Sequence, residues 1–145
     1  MSVLSYEITN DPAGKGYAAF LPDQPGRVVD LLNALTETKH KARMITARGI
    51  LSDYPGGPVA AALVLDKLEA AAPSVPALKW AFGFLKTEGL DIGHPATQGM
   101  IDQLATASVI TADEAANLKA LSLQPASRAE VLGLPVITEQ ILRDR

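Results

Sequence analysis

The stretch "PALKWAFGFLKTEG", residues 76–89, is the most regular segment of the sequence and predicts its central helix. Its main apolar stripe follows the i, i+3, i+4, i+7 spacing of one helix face and consists of Leu78, Ala81, Phe82 and Leu85. Trp80 and Phe84 add a second apolar strip. A helix that is apolar on two sides is typical of one packed between neighbours, so we expect Trp80, Phe82 and Phe84 to anchor the core.

Helical patterns continue on both sides of this segment. Residues 23–37, 58–72 and 96–108 show helical apolar spacing, and a shorter helical stripe follows residue 44. Two capping boxes, "TADE" at 111–114 and "SRAE" at 127–130, predict further helix starts, and Thr138 is a candidate cap for a last one. The sequence thus predicts an all-α, single compact domain over residues 1–145, with about six to seven short helices joined by Pro/Gly-rich turns.

Three segments read as irregular structure. Residues 1–22 are predicted to be an N-terminal loop, although the apolar pattern of residues 3–8 fits either a short helix or a strand. "KHKAR", residues 39–43, is predicted to be a polar link, and "LDIGHP", residues 90–95, a loop.

Composition excludes several classes of chemistry. The 145 residues include no cysteine, which removes disulfides, thiolate metal sites and a cysteine nucleophile. The formal charge is −3, so no global basic field attracts nucleic acid or an anionic membrane. The longest apolar run, "PVAAALVLDKL", contains Asp66 and Lys67 and is too short to span a bilayer. We therefore expect no membrane partner.

The segment "NDPAGKGYAAF", residues 10–20, places Lys15 between Gly14 and Gly16 and so raises the question of a phosphate site. A Walker A loop needs four residues between its first glycine and Gly-Lys, and then a serine or threonine. Here Ala13 precedes Gly14, and Gly16 stands where the hydroxyl should be. A dinucleotide fingerprint would need a third glycine in register. The segment therefore predicts a turn, and we expect no cofactor.

Candidate catalytic and metal-binding residues are few. His40 and His94 lie in different predicted loops without a second histidine at i+3 or i+4, so no zinc ligand set is assembled. The sequence also lacks a Gly-x-Ser-x-Gly nucleophile elbow. We predict that the protein is not an enzyme and holds no metal.

A basic cluster, Lys39, Lys41, Arg43 and Arg48, fits either contact with a phosphate backbone or a solvated helix junction. No aromatic residue is interleaved with these charges, so a nucleic-acid partner is a third reading and not the expected one.

The C-terminal segment "VITEQILRDR", residues 136–145, carries unusual apolar content for a chain end, at Val136, Ile137, Ile141 and Leu142. Such a segment either docks on its own domain or reaches a neighbouring subunit. We expect that deletion of residues 136–145 leaves a soluble fold and abolishes co-assembly with neighbouring subunits.

Two motifs together resemble a family of small helical proteins encoded by tailed bacteriophages. "NDPAGKGY", Asn10–Tyr17, matches the family's Asn/Asp-Asp-Pro-x-Gly-x-Gly-Tyr segment, and "VVDLLNALTE" matches the helix after it. "SRAEVLG", Ser127–Gly133, matches its Ser-Arg-Ala-Glu-x-Leu-Gly segment, and "TEQILRDR" its final helix. The resemblance covers most of the chain. It departs at "AAFLPDQPGR", where the family tends to have a polar, turn-forming segment.

This resemblance implies a non-enzymatic virion structural or adaptor protein of the phage tail or neck, present in the host cytoplasm during assembly. Neck, tail tip and fibre attachment all remain open. Its partners would be other virion proteins and further copies of itself in a symmetric ring. The alternative is an assembly chaperone or regulator absent from the virion. We expect the contact residues to be Asp11, Pro12, Gly14, Gly16, Tyr17, Phe20, Val136, Ile137, Ile141 and Leu142.

Overall fold

The structure is a computed structural model that describes residues 2–145. The chain is mostly helical, as predicted, with 60% of its residues in helices and 8% in strands. The prediction of an all-α fold is wrong in one respect, because two small two-stranded sheets are present.

Nine α-helices lie within residues 2–145. They are α1 (Val3–Asn10), α2 (Pro25–Asn33), α3 (Ala47–Asp53), α4 (Gly57–Ala71), α5 (Pro76–Leu85), α6 (Pro95–Thr106), α7 (Ala112–Ala120), α8 (Arg128–Val131) and α9 (Glu139–Arg143). Short 3₁₀ turns occupy Tyr17–Phe20 and Ala72–Ser74. The strands are β1 (Glu37–His40), β2 (Met44–Ile45), β3 (Leu90–Asp91) and β4 (Leu123–Ala126), with β1 paired to β4 and β2 to β3.

Helix starts lie where the capping signals predicted them. The hydroxyls of Thr111 and Ser127 accept hydrogen bonds from the amides of Glu114 and Glu130, and each glutamate accepts one back from the cap amide. Both capping boxes are therefore confirmed. Thr138 caps α9 in a similar way, by accepting from the amide of Ile141.

The segments predicted as irregular contain regular structure. Within residues 1–22, Val3–Asn10 forms α1, so the N-terminal loop prediction is wrong there. Lys39 and His40 of the predicted polar link belong to β1. Leu90 and Asp91 of the predicted loop at 90–95 form β3, where they pair antiparallel with Ile45 and Met44. Strands of two to four residues are too short to show a period, which is why the sequence pattern missed them.

Contacts between the described residues group them into two compact units. Unit 1 joins the chain up to Lys39 with Gln124–Arg145, and unit 2 is His40–Leu123. Each unit holds its own cluster of buried apolar side chains. The assignment of the whole chain to one domain stays a prediction.

Unit 1 packs its helices around an apolar core. Helix α2 contacts both α8 and α9, which makes the C-terminal segment part of this packing. The buried apolar side chains are Leu4, Ile8, Tyr17, Val28, Leu32, Ala129, Ile137 and Leu142.

Unit 2 contains α3 to α7 and the β2–β3 pair. The predicted stripe of α5 is confirmed, since Leu78, Ala81, Phe82 and Leu85 are all buried. The prediction that Trp80 and Phe84 also belong to the core is wrong, because their side chains are 71% and 45% exposed. The second apolar face of α5 is thus left open to solvent.

Gly93 allows two segments of unit 2 to approach closely. A Cβ atom at this position would lie 1.8 Å from the carbonyl oxygen of Lys41, so a larger residue would force the backbone apart. The Asp91 carboxylate supports the same turn by accepting hydrogen bonds from the amides of Arg43 (2.9 Å) and Gly93 (3.0 Å). Across residues 2–145, none of the helices has both the length and the apolar character needed to cross a membrane.

Candidate protein-interaction surfaces

The glycine loop is organised by one carboxylate. The Asp11 side chain accepts hydrogen bonds from the amides of Lys15 (2.7 Å) and Gly16 (2.8 Å), and the Lys15 ammonium donates to the Thr36 hydroxyl (3.1 Å). Gly14 and Gly16 have φ angles of 65° and 82°, the left-handed region that glycine adopts without strain. Because a protein carboxylate already occupies the amides that a phosphate would use, the turn interpretation is the better supported one.

The two motifs of the phage resemblance meet inside unit 1. Glu7, only 1% exposed, accepts hydrogen bonds from the Tyr17 hydroxyl (2.9 Å) and from Arg128 Nε (2.7 Å) and Nη2 (3.1 Å). Tyr17 comes from the N-terminal motif and Arg128 from the C-terminal one. The bidentate geometry between Arg128 and Glu7 is the strong form of this ion pair. Both motifs therefore have a structural role here.

The electrostatics of this cluster follow from the same contacts. Hydrogen bonds from Arg128 lower the pKa of Glu7, against the burial that would raise it. Burial and the bond to Glu7 raise the pKa of the Tyr17 hydroxyl, so its neutral form is favoured. Glu37 approaches Arg128 at 3.5 Å with one oxygen, and its other oxygen is buried without a hydrogen-bond partner. The Arg128 guanidinium thus forms ion pairs with two carboxylates, those of Glu7 and Glu37.

The C-terminal segment docks on its own unit. The Asn33 side chain donates to the carbonyl of Ile137 (2.7 Å) and accepts from its amide (2.9 Å), as a paired strand would. Ile137 and Leu142 are 2% and 1% exposed. Of the two alternatives left open by the sequence, docking on the chain's own fold is the one observed. Deletion of residues 136–145 would therefore remove part of the unit 1 core, contrary to the expectation that the fold survives.

The predicted contact residues divide by burial. Pro12, Gly14, Gly16 and Val136 are exposed. Asp11, Phe20 and Ile141 are half-buried. Tyr17, Ile137 and Leu142 are buried in the unit 1 core and offer no surface to a partner. The use of these two segments in contacts stays a prediction, and it can apply only to the members that reach solvent.

One histidine and one serine come together in unit 2. His40 Nδ1 lies 2.7 Å from Ser122 Oγ, but Ser122 is completely buried. The Ser122 hydroxyl donates to the Lys119 carbonyl (2.9 Å) and accepts from Gln98 Nε2 (3.2 Å). These contacts hold the Ser122 hydroxyl inside unit 2, between Lys119, Gln98 and His40.

His94, Arg43 and Lys39 have structural contacts. His94 caps α6 by accepting from the amide of Ala96 through Nδ1 (3.0 Å). In unit 2, Arg43 pairs with Asp53 and donates to the Leu121 carbonyl (2.7 Å). In unit 1, the Lys39 ammonium donates to the Glu130 carbonyl (3.0 Å). No group of three or more histidine, aspartate and glutamate side chains among residues 2–145 could hold a metal ion.

The feature that the sequence interpretation missed is an open groove between α5 and α6 in unit 2. It has a volume of about 600 Å³. Its lining residues include no charged side chain and are Ala77, Trp80, Ala81, Phe84, Leu90, Ala96, Thr97, Gly99, Met100 and Gln103. The signal was present in the sequence, because both helices carry a second stripe at i, i+3, i+4 and i+7 beside the one that faces the core.

Comparisons with known protein families, curated proteins and solved structures gave no match to this chain. The resemblance of its two motifs to a phage family therefore stays an expectation from the sequence.

Proposed function

We propose that the chain is a non-enzymatic protein-binding adaptor and that the α5–α6 groove is its binding surface. The observation that carries the proposal is the exposure of Trp80 and Phe84 on one face of α5, beside uncharged residues of α6. Aromatic side chains are enriched among the residues that dominate binding energy at protein interfaces. A contiguous exposed apolar groove of this kind is typical of an interaction site.

Two further observations favour binding over catalysis. The Ser122 hydroxyl is buried and fully hydrogen-bonded, so it has no route to a substrate. The void inside the unit 2 core has a volume of about 20 Å³ and an almost entirely apolar lining, which leaves room for about one water molecule and no substrate.

For the biological setting we propose a tailed-phage virion, with the chain in the tail or neck and with other virion proteins and further copies of itself as partners. The support is the resemblance of "NDPAGKGY" and "SRAEVLG" to the phage family. Mass spectrometry of purified particles tests this setting. Stoichiometric peptides of the chain support it, whereas their absence from particles favours an assembly chaperone or regulator.

The binding surface is tested by complementing a deletion of the coding sequence. The double variant Trp80→Ser/Phe84→Ser should fold normally, since both side chains are exposed, but should fail to restore particle assembly. The matched control is Val59→Ser/Leu63→Ser, which removes two apolar side chains that are 78% and 59% exposed on α4 of the same unit. Full assembly with the groove variant would refute the proposed surface.

A further inference from the structure

We infer that the folding of the two units is coupled in one direction only. Unit 2 keeps its fold when unit 1 opens, whereas unit 1 needs folded unit 2 to hold its two segments together. Three observations carry this inference, and it does not rest on the proposed function.

The first observation is the order of the chain. Unit 2 is one continuous segment, His40–Leu123, whereas unit 1 is assembled from the chain up to Lys39 and from Gln124–Arg145. Many domains of about 55–65 residues fold alone, and unit 2 is longer than that. Each segment of unit 1 is shorter than the roughly 40 residues below which a chain seldom folds by itself. Unit 1 therefore depends on a connection between its segments, and unit 2 does not.

The second observation is that each unit supplies its own apolar core. The buried cluster that contains Leu68 and Leu104 is formed by side chains of His40–Leu123. The other cluster takes Leu32 from the first segment of unit 1 and Leu142 from the second. The unit 2 core therefore contains no side chain that unit 1 supplies. Unit 2 also holds ion pairs of its own, which are Arg43–Asp53, Lys67–Glu114 and Asp102–Lys119.

The third observation is that unit 2 joins its own two ends. The Lys41 amide donates to the Ser122 carbonyl (3.0 Å), and Arg43 Nη1 donates to the Leu121 carbonyl (2.7 Å). His40 Nδ1 lies 2.7 Å from the Ser122 hydroxyl oxygen. All of these residues belong to unit 2. Folded unit 2 thus holds close together the two points at which the chain passes into unit 1.

Loop closure explains why the coupling has one direction. With unit 2 folded, Lys39 and Gln124 follow its two bonded ends, so the two segments of unit 1 begin near each other. With unit 2 unfolded, the same two residues are the ends of a flexible loop. Conformational entropy then opposes bringing them together, by an amount that grows with the logarithm of the loop length. Opening of unit 1 imposes no such cost on unit 2, because the chain of unit 2 is continuous.

Pulsed amide hydrogen exchange, measured by mass spectrometry on the full chain across a urea series, tests the inference. Two matched variants each truncate two buried leucine side chains. They are Leu32→Ala/Leu142→Ala, the unit 1 core variant, and Leu68→Ala/Leu104→Ala, the unit 2 core variant. Two such truncations together remove an amount of stability comparable to that of a whole small domain. Peptides from His40–Leu123 report on unit 2, and the other peptides report on unit 1.

We expect the two variants to give different results. In the unit 1 core variant, unit 1 peptides should lose protection at lower urea, while the exchange rates of unit 2 peptides stay within about twofold of the wild type. In the unit 2 core variant, unit 1 peptides should be unprotected at every urea concentration at which unit 2 peptides are unprotected.

A backbone variant opens unit 2 in a second way. A Cβ atom at Gly93 would lie 1.8 Å from the Lys41 carbonyl oxygen, so Gly93→Val forces apart two segments of unit 2. Unit 1 peptides should lose protection in this variant too, although no side chain of the unit 1 core has been changed.

Two results would overturn the inference. If unit 2 peptides of the unit 1 core variant lose protection together with unit 1 peptides, the chain is one cooperative fold. If unit 1 peptides stay protected at a urea concentration that leaves unit 2 peptides unprotected, in either variant of unit 2, the two units fold independently of each other.

Discussion

At the scale of single residues, Arg128 pairs with two carboxylates of unit 1. It holds the Glu7 carboxylate with two hydrogen bonds and also approaches Glu37. Removal of one partner from a buried ion pair costs more than the pair itself contributes, because the other charge is left buried and alone. The motif "SRAE" thus has two structural functions, a helix cap from Ser127 and a counter-ion from Arg128.

We predict that Arg128→Met lowers the free energy of unfolding of unit 1 by about 3–5 kcal/mol. Urea unfolding followed by Tyr17 and Tyr6 absorbance and by circular dichroism measures the change. Arg143→Met is the matched control, since Arg143 lies on the exposed side of α9 and should change stability by less than about 0.5 kcal/mol. A loss below about 1 kcal/mol for Arg128→Met would contradict the role of this pair.

The same cluster gives a pH dependence. The pKa of Glu7 is lowered in the folded state, so its contribution to stability is present above the unfolded pKa of about 4.5 and is lost as the pH falls through the folded value. We predict that stability decreases below about pH 4.5 and that Glu7→Gln removes part of this decrease. Urea midpoints between about pH 3 and 7 give both curves. If the pH curves of the wild type and of Glu7→Gln run parallel, Glu7 does not contribute to the pH dependence of stability.

At the scale of elements, the C-terminal segment is a structural part of unit 1. Ile137 and Leu142 fill its core, and Asn33 holds the backbone of Ile137 with two hydrogen bonds. Loss of each buried aliphatic side chain costs about 2–5 kcal/mol in a packed core. We predict that deletion of residues 136–145 unfolds or strongly destabilises unit 1.

A subtler change tests the docking without removing the core. Asn33→Ala keeps Ile137 and Leu142 but deletes both hydrogen bonds to the segment, and we predict faster amide exchange at Ile137 and in α9. Asn10→Ala is the control, because its side chain donates to the Tyr6 carbonyl in α1 and not to the C-terminal segment. Unchanged exchange in α9 of Asn33→Ala would contradict the role of this clamp.

The elements also show what the sequence could predict. Both capping boxes and the core stripe of α5 follow from local chemistry and helical period, and all three are confirmed. Short strands such as β2 lack any period, and they arise from pairing with residues far along the chain. The exposure of Trp80 and Phe84 does not follow from the sequence, because an amphipathic pattern identifies apolar faces but not whether the chain itself covers them.

At the scale of the molecule, the buried ion pair and the exposed aromatic side chains belong to different units. Unit 1 encloses its notable residues, Glu7, Tyr17 and Arg128, in a hydrogen-bonded interior. Unit 2 exposes Trp80 and Phe84 in a groove without charge. The residues that carry the phage resemblance are therefore not those that form the proposed binding surface. The proposed recognition of a partner through unit 2 thus does not depend on the proposed phage setting.

The central claim is that a partner buries Trp80 and Phe84 in the assembled state. Hydroxyl-radical footprinting of that state measures their burial directly. Mass spectrometry compares oxidation of Trp80 in the isolated chain and in purified assemblies, with Val59 and Tyr6 as exposed reference residues. We predict that Trp80 and Phe84 become several-fold protected relative to the reference residues, because a partner excludes water from the groove. Equal oxidation of Trp80 in both states would contradict the account.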